Sequence, residues 1–340
     1  MDGLELRPYE PAAAPHVLAL WWRALGEPYP LREAVLRQCL EGNPSYQPGD
    51  AIVAWKGGRA IGFAFIGLHR LSDPETAAQR ARAWLQAVVV DPAWRRRGIG
   101  SDLVARLARI QPDGGPPTIE AGGGFSYLWP GIPTDLSDAL PFATALGFRL
   151  ADETYDLRGD VSGLTEDETA ARLVAQAGLT VDAATAADRD GLLTFLIGES
   201  WAEWWQDMRR FLDDGGDPAD VLLLRESGTD GRAIRGLARI HTPASRPVGP
   251  PLFWTARRPP AAGGLGPIGV AAALRGRGLG RALLAVALGR LRDLGLYDVV
   301  IDWTVLLRFY GPFGFRPWMT FRAATAPTDL LAGLRGKVPQ

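Results

Sequence analysis

The chain has 340 residues, and its 37 basic residues nearly balance its 38 acidic ones, giving a formal net charge of −1. This length predicts two domains, and the balanced charge argues against a nucleic-acid-binding protein. The lone cysteine, Cys39, excludes an internal disulfide, and the sequence has no Cys/His cluster, so no metal site is expected. No apolar run has bilayer-spanning length and no basic segment precedes an apolar leader, which predicts a cytoplasmic protein without a membrane partner.

The first half of the chain predicts an alternation of strands and helices. A short strand begins at Leu4 and leads into two amphipathic helices, written APHVLALWWRALG and LREAVLRQCLEG. A hairpin follows with its turn at residues 56–59, where two glycines supply the positive φ that such turns need. A β-rich run (WLQAVVVDP) then precedes a glycine loop, a helix, a strand (PTIEA) and a short helix that ends in Gly-Phe before a final strand.

The second half repeats this order. The pattern R-x-x-G-x-G at residues 95–100 recurs at residues 275–280, an offset of 180 residues (275 − 95 = 180). A starting strand, a hairpin with its turn at residues 227–231 and the Gly-Phe segment recur around it. We therefore expect two copies of one α+β domain, each a mixed, mostly antiparallel twisted sheet with helices on both faces. The expected segments are a first domain (1–158), a linker (159–178), a second domain (179–326) and a tail (327–340).

The R-x-x-G-x-G segment between a strand and a helix is suited to binding a phosphate. Glycine lets the backbone approach a ligand, the first helical turn offers unpaired N–H groups, and arginine adds charge-assisted hydrogen bonds. The dinucleotide fingerprint G-x-G-x-x-G fails, because its last position is Leu103 in the first copy and Arg281 in the second. The sequence also has no Gly-Lys-Ser/Thr, which excludes a P-loop.

These residues resemble the GNAT superfamily of Gcn5-related N-acetyltransferases, in which a strand ending in Val-x-Pro precedes Arg/Gln-x-x-Gly-x-Gly/Ala and a helix. VVVDPAWRRRGIGSDLV matches this pattern fully, whereas GVAAALRGRGLGRALL lacks the proline. A later family segment, an aromatic-Tyr pair before Gly-Phe, is present as RFYGPFGF and only in part as PFATALGF. The chain therefore resembles a tandem GNAT protein over nearly its whole length.

The resemblance implies an N-acetyltransferase that uses acetyl-CoA as cosubstrate and a small-molecule amine as acceptor. The CoA diphosphate would lie on the glycine loops, and the pantetheine arm would follow the preceding strands, which splay to make room. The implied CoA-binding residues of the second half are Ile268, Gly269, Val270, Arg275, Gly276, Arg277, Gly278, Leu279, Gly280 and Arg281. Those of the first half are Val88, Val89, Val90, Arg95, Arg96, Arg97, Gly98, Ile99, Gly100 and Ser101.

The resemblance also gives Tyr310 the role of the acid that protonates the leaving thiolate, and the first half has Ala143 at that position. The backbone amide of Val270 is the candidate donor to the oxyanion. His241 and Asp302, each near the predicted end of a strand, are the candidate bases, and proton removal through water is the alternative. The first domain is therefore expected to be weak or non-catalytic.

Aromatic residues near the predicted acceptor cleft suggest a flat, hydroxylated ligand. Tyr127 and Trp129 lie in the insertion FSYLWPGIPTD, and Trp303 lies in the shorter matching segment. The expected acceptor is an amino sugar of the glucosamine type, and a polyamine, an antibiotic or a protein N-terminus are alternatives. Two other interpretations stay open, namely an insertion that packs against the other domain and a non-catalytic acyl-CoA-binding protein. The chain is expected to be a monomer or a homodimer.

Overall fold

The computed structural model describes residues 3–110, 115–165, 168–228, 233–255 and 262–334. The chain folds as two compact units. The first unit consists of the residues up to Thr154 together with those from Met319 onward, and the second unit is Tyr155–Trp318. Within the described residues, no helix is both long enough and apolar enough to cross a membrane.

The first 160 residues alternate between strands and helices as the sequence predicts. Their strands are β1 (Leu4–Pro8), β2 (Ala51–Lys56), β3 (Arg59–Leu68), β4 (Ala83–Val90), β5 (Thr118–Ala121), β6 (Ile132–Pro133) and β7 (Arg149–Asp160). Their helices are α1 (Ala14–Leu25), α2 (Glu33–Cys39), α3 (Ile99–Arg109) and α4 (Ala139–Leu146).

The remaining residues repeat the alternation. Their strands are β8 (Leu179–Ala183), β9 (Val221–Glu226), β10 (Ile234–His241), β11 (Ala262–Val270), β12 (Asp298–Thr304) and β13 (Arg316–Pro327). Their helices are α5 (Glu168–Gln176), α6 (Arg189–Gly198), α7 (Ala202–Asp213), α8 (Leu279–Asp293), α9 (Leu307–Tyr310) and α10 (Thr328–Ala332).

The sheets of the two units have the same topology. In the first unit the strand order is β1-β2-β3-β4-β5-β13, with β4 and β5 parallel and the other neighbours antiparallel. In the second unit the order is β8-β9-β10-β11-β12-β7, with β11 and β12 as the parallel pair. The predicted fold class, a mixed and mostly antiparallel sheet in each half, is therefore confirmed.

Helices cover both faces of the sheet in the second unit. The side chains of a strand alternate between its two faces, and here both faces carry apolar side chains that helices bury. On β10, Ile240 packs with residues of α8 and α5, such as Leu283 and Val174. Leu237 of the same strand packs on the opposite face with residues of α6 and α7, such as Leu196 and Phe211. Burial of these apolar side chains is the main favourable contribution to folding.

The predicted hairpin turn at residues 56–59 is present. Lys56 pairs with Arg59, and the two glycines between them have φ values of 55° and 75°. Glycine adopts these values without the steric cost that a Cβ would bring, so this turn joins two twisted strands tightly. The matching turn predicted at residues 227–231 lies partly outside the described residues.

The unit boundaries differ from the segments that the sequence predicts. Residues 159–178, expected to be a linker, include α5, whose Ala170 and Val174 belong to the core of the second unit. The end of β13 pairs with β5 in the first unit, at Thr325 with Glu120, although it was expected to complete the second domain. The end of β7 pairs instead with β12 in the second unit. Hydrophobic pattern predicts that a strand forms but not which sheet it joins.

Candidate functional site

In each unit the parallel strand pair separates part of the way along. β11 pairs with β12 only over residues 262–265, whereas the rest of β11 stays paired with β10 up to Val270. β4 likewise pairs with β5 only over residues 83–85 and stays paired with β3 up to Val90. The strand segments implied to bind the pantetheine arm, residues 268–270 and 88–90, therefore lie where one strand edge is not paired with its parallel neighbour.

The glycine loop of the second unit leads directly into the first turn of α8. Gly278 has a φ of 79° and immediately precedes the helix, and Gly276 has a φ of 73°. Arg275, Arg277 and Arg281 are exposed around this turn. Exposed guanidinium groups beside a helix N-terminus fit a diphosphate, so this chain's residues are chemically suited to hold the diphosphate of CoA there.

A glutamate, which the sequence pattern did not link to the glycine loop, lies beside this loop. Glu199, at the end of α6, accepts a hydrogen bond of 2.7 Å from the backbone N–H of Ala272 and lies 3.9 Å from the Arg275 guanidinium. These contacts fix the segment that leads from β11 into the loop. They also leave the Arg275 side chain more than half exposed.

The loop of the first unit has the same backbone shape but a different use of its arginines. Gly98 has a φ of 88°, like Gly278, and precedes α3. The Arg95 guanidinium donates to the carbonyls of Val90 and Ala24, each at 3.2 Å, and contacts Asp138 at 3.1 Å. The side chain predicted to bind phosphate in this copy therefore bonds to neighbouring elements of its own unit, which the repeated pattern gave no means of predicting.

Tyr310 lies at the end of α9 and is buried against Phe309 and Phe315. Burial, with a further contribution from the charge of Asp302, raises the pKa of the phenol well above its usual range. The hydroxyl therefore stays protonated at neutral pH, as a proton donor requires. The first unit has the buried Ala143 at the corresponding position and has no such donor there.

His241 is fully buried at the end of β10. Its Nε2 lies 2.6 Å from the carbonyl oxygen of Gly266, so Nε2 must hold the ring proton and donate it. Burial and the nearby Arg239 lower the pKa of the imidazole well below its usual value. Gly249 covers Nδ1, because a Cβ on this glycine would lie 1.9 Å from that atom. This hydrogen bond links β10 to β11 where β11 leaves β12, and a role for His241 as base remains a prediction.

Asp302 faces the gap between the parallel strands. Its Oδ1 lies 3.0 Å from the place that a Cβ on Gly266 would occupy, so a larger residue there would crowd the carboxylate. The next residue, Trp303, has a φ of 41°, and the register between β12 and β7 shifts between Ile301 and Thr304. A bulge of this kind re-aims the side chains beside it, which here are Asp302 and Trp303.

A second carboxyl group, missed from the sequence, holds this bulge. Asp156 of β7 is buried and accepts the backbone N–H of Trp303 at 2.9 Å. Burial and the charge of Asp302 raise the pKa of Asp156 well above its usual range. In the sequence Asp156 alternates with the apolar Tyr155 and Leu157, which is typical of the polar side of a strand, so nothing in the sequence marked it as buried.

Two tryptophans, Trp201 in the turn before α7 and Trp204 of α7, lie over β11. A Cβ on Gly269 would lie 2.7 Å from the Trp201 ring and 2.9 Å from the Trp204 ring. The two indoles also contact each other, with centroids 4.7 Å apart. Glycine is therefore required at position 269 for these rings to reach the strand.

The aromatic insertion of the first unit packs inside that unit. Trp129 stacks on Trp21 of α1, with centroids 5.2 Å apart and planes 17° apart, and meets Tyr29 edge to face at 5.4 Å. Tyr127 and Trp129 are both buried. Of the three aromatic residues predicted to bind the acceptor, only Trp303 is exposed, at 37%. The insertion thus forms part of a core, which favours the packing interpretation, although within its own unit.

Gln86 closes the strand gap of the first unit. Its side chain donates to the carbonyl of Gly123 at 2.6 Å and accepts the N–H of Leu128 at 3.2 Å, which joins β4 to the insertion. The corresponding residue of the second unit is Gly266, since Leu85 and Leu265 are the last paired residues of β4 and β11. The gap of the first unit is therefore bridged by the Gln86 side chain, whereas the matching position of the second unit is a glycine and has no side chain to bridge it.

Comparison with known proteins agrees with this geometry. A family model described as the acetyltransferase (GNAT) family matches residues 14–115 and 193–315. The chain is 28% identical to a mycothiol acetyltransferase of Parafrankia sp. over 285 residues, which is 78% of this chain and 79% of that protein. It is also 28% identical to a mycothiol acetyltransferase of Mycobacteroides abscessus over 259 residues, 73% of this chain and 76% of that one.

Two solved structures share the fold at lower sequence identity. One contains a GCN5-related glucosamine N-acetyltransferase region of a fungal multi-domain GH3 beta-N-acetylglucosaminidase. It has a TM-score of 0.84 and 22% identity, with 95% of this chain matching 38% of that one. The other is a tandem GNAT protein from the clavulanic acid biosynthesis pathway, with a TM-score of 0.61, 18% identity and coverage of 96% and 98%.

The family model matches more than half of the chain and falls on both copies of the repeat. Acetyl-CoA, the cosubstrate of that family, agrees with the exposed loop at the N-terminus of α8. The chain belongs to the acetyltransferase (GNAT) family and has two GNAT-like halves.

Proposed function

We propose that the second unit transfers the acetyl group of acetyl-CoA to a primary amine, and that the acceptor is of the amino-sugar type. The observation that supports this most directly is the position of Tyr310, whose buried side chain belongs to the same cluster as Val270 of β11. Burial and, to a smaller extent, the charge of Asp302 raise the pKa of this phenol, so it is protonated at neutral pH. Asp302 itself faces the gap between β11 and β12. An acid and a carboxylate are thus near each other at the gap where the family places the thioester.

Each residue has a distinct role in this proposal. Arg275 and Arg277, with the backbone around Gly278, bind the diphosphate of the cosubstrate. The Val270 amide donates to the carbonyl oxygen of the acetyl group as charge develops on it. The Tyr310 hydroxyl gives its proton to the departing sulfur. Asp302 accepts the amine proton, directly or through water.

The first unit lacks the groups that this chemistry needs. It has Ala143 at the position of Tyr310, and Gly122 at the position of Asp302, since each follows the last paired residue of its strand. Gln86 bridges its strand gap. We therefore assign catalysis to the second unit.

A second function for the first unit is binding of an acyl-CoA without transfer. The left-handed Gly98 before α3 supports this proposal, because the backbone shape of the phosphate loop is retained there. An isothermal titration that finds two acetyl-CoA sites per chain would support it. One site per chain would refute it.

The amino-sugar acceptor rests on the similarity to the mycothiol acetyltransferases and to a structure with a glucosamine N-acetyltransferase region. A polyamine, an antibiotic or a protein N-terminus are the alternative acceptors. A panel of amines that includes glucosamine, assayed by release of free thiol from acetyl-CoA, separates these classes.

Tyr310→Phe tests the proposed chemistry. We expect turnover to fall about 100-fold, the range for removing a general acid, while acetyl-CoA binding is unchanged. Tyr297→Phe is the matched control, because Tyr297 is exposed and belongs to the same unit. Full activity in Tyr310→Phe would exclude the phenol from the mechanism.

A further inference from the structure

Arg239 of β10 is a buried cation with unused hydrogen-bond donors. Its side chain lies under α7, with the guanidinium carbon 3.6 Å from the centre of the Phe211 ring, and the residue is 6% exposed. Among the described residues, neither its Nε nor its Nη2 has a hydrogen-bond partner. Buried charged groups are normally both paired and hydrogen-bonded, since leaving their donors unused is costly.

Carboxylates balance the charge of Arg239 without filling these donors. The charges of Asp207, Asp220 and Asp302 act on it and oppose the effect of burial, which lowers its pKa to about 10. The guanidinium therefore stays positively charged at neutral pH. Asp220 accepts a hydrogen bond of 2.6 Å from Ser245, whereas Asp207 belongs to α7 and Asp302 to β12.

The fold directs Arg239 and Asp302 to the same face of the sheet. The neighbours of Arg239 on β10, Ala238 and Ile240, pack on the α8 face, and Ile301 before Asp302 packs there too. Arg239 must therefore point to the opposite face, where α7 contributes Phe211. The bulge after Ile301 interrupts the alternation of β12, but the charge of Asp302 acts on both Arg239 and Asp207 of α7, which places its carboxyl group on this side. β11 lies between their two strands, and Trp201 and Trp204 cover Gly269 of β11 from this same side.

We propose that Arg239 is an acceptor-binding residue whose Nε and Nη2 donate to an oxygen of the acceptor, while the carboxyl groups of Asp302 and Asp207 lie near its amine. The acceptor class is then a primary amine that has a hydroxyl or carbonyl oxygen close by, and simple aliphatic amines and polyamines are disfavoured. This inference rests on the proposed function and names what the same site selects.

The first unit supports this assignment by contrast. Phe65 is the third residue after Gly62, as Arg239 is the third after Gly236, and these two glycines hold equivalent registers on their sheets. Phe65 is buried and contacts Phe63, with ring centroids 5.7 Å apart. The unit without Tyr310 and Asp302 equivalents has an apolar residue in place of the cation.

The test compares a hydroxylated amine with its bare ring counterpart. We would measure kcat/KM for glucosamine and for cyclohexylamine in the parent and in Arg239→Met. We expect Arg239→Met to lower kcat/KM for glucosamine by about 10- to 100-fold, the loss of one charge-assisted hydrogen bond. The value for cyclohexylamine should change much less. Arg239→Lys, which keeps the charge, should retain part of the preference.

Arg225→Met is the matched control for loss of a buried arginine. Arg225 is also 6% exposed, but its guanidinium donates hydrogen bonds to two carboxylates. Its Nε donates to Asp182 at 2.7 Å and its Nη1 donates to Asp188 at 2.6 Å. Its removal should lower the melting temperature and leave the ratio of the two kcat/KM values unchanged. Because Arg239 lacks such bonds at Nε and Nη2, Arg239→Met should fold at least as well as this control.

The outcomes separate the two proposals. Equal losses for both amines in Arg239→Met, or a parent that uses cyclohexylamine as well as glucosamine, would overturn the role of Arg239 and leave acetyl transfer standing. Release of no thiol with any amine would overturn the proposed function and this inference with it.

Discussion

Gly278→Ala is the substitution that probes the diphosphate loop most directly. Gly278 has a φ of 79° immediately before α8, and an added Cβ would lie 3.0 Å from Cδ2 of Leu173. A residue with a Cβ in the left-handed region costs about 1–2 kcal/mol. The methyl end of Leu173 can move aside, so this conformational cost accounts for most of the expected loss of stability.

These values translate into melting temperatures. For a unit of this size, 1 kcal/mol corresponds to about 2–4 °C, so Gly278→Ala should melt about 2–8 °C below the parent. Acetyl-CoA at a concentration of 100 Kd stabilises the folded state by about 2.7 kcal/mol. If the strained loop weakens acetyl-CoA binding tenfold, about 1.4 kcal/mol of this stabilisation is lost. The rise in melting temperature that acetyl-CoA causes should then be about half of that in the parent.

Gly295→Ala is the control for the conformational cost alone. Gly295 lies between α8 and β12 with a φ of 76°, and a Cβ there meets no described atom within 4 Å. Its loss of intrinsic stability should match that of Gly278→Ala. Its acetyl-CoA-induced rise should equal that of the parent, because it is not part of the loop.

Thermal unfolding of the three proteins with and without acetyl-CoA gives the answer. A halved rise in Gly278→Ala with an intact rise in Gly295→Ala supports a diphosphate site at this loop. An equal rise in all three proteins refutes it. Gly98→Ala, measured alongside, shows whether the loop of the first unit contributes to the rise.

Two further predictions concern stability. Burial raises the pKa of Asp207 from 3.8 to about 7, so the folded protein keeps a proton that the unfolded chain loses. The free energy of unfolding should therefore fall as the pH rises from about 4 to about 7. Urea unfolding of Asp207→Asn, measured at about pH 4 and at about pH 7, should show a smaller fall than the parent. Gly124→Ala should cost about 2–5 kcal/mol, because its Cβ would lie 2.3 Å from the buried Trp84 ring at a φ of 74°. Gly58→Ala, with a φ of 75° and no described atom within 4 Å of its Cβ, should lose only about 1–2 kcal/mol in the same assay.

The repeat made most of the fold predictable. The hairpin turn marked β3, a β-rich run marked β4, and both glycine loops fell between a strand and a helix. These features are local, since each depends on residues within a few turns or one strand. The order of elements was therefore accessible from the sequence.

The partners of the final strands were not accessible in this way. β7 and β13 have similar lengths and follow similar Gly-Phe segments, yet each has its end in the other unit. No local sequence feature of β7 or β13 indicates which of the two sheets its end will join. The linker prediction for residues 159–178 rested on a different feature, the polar composition of the segment. In the structure Ala170 and Val174 of α5 nevertheless pack with residues of α8.

The candidate site also combines features that the sequence predicted with features that only the structure showed. The sequence alone predicted two phosphate loops, one tyrosine in the place of an acid and an alanine in the other copy, because these are matters of residue type and spacing. Only the tertiary structure brought Arg239, Asp207 and Asp302 to one face, since they come from two strands and a helix far apart in the chain. It also showed that Arg95 bonds to neighbouring elements of the first unit and that the aromatic insertion packs into the core of that unit. Burial and through-space charge set those roles, and neither follows from the order of residues along the chain.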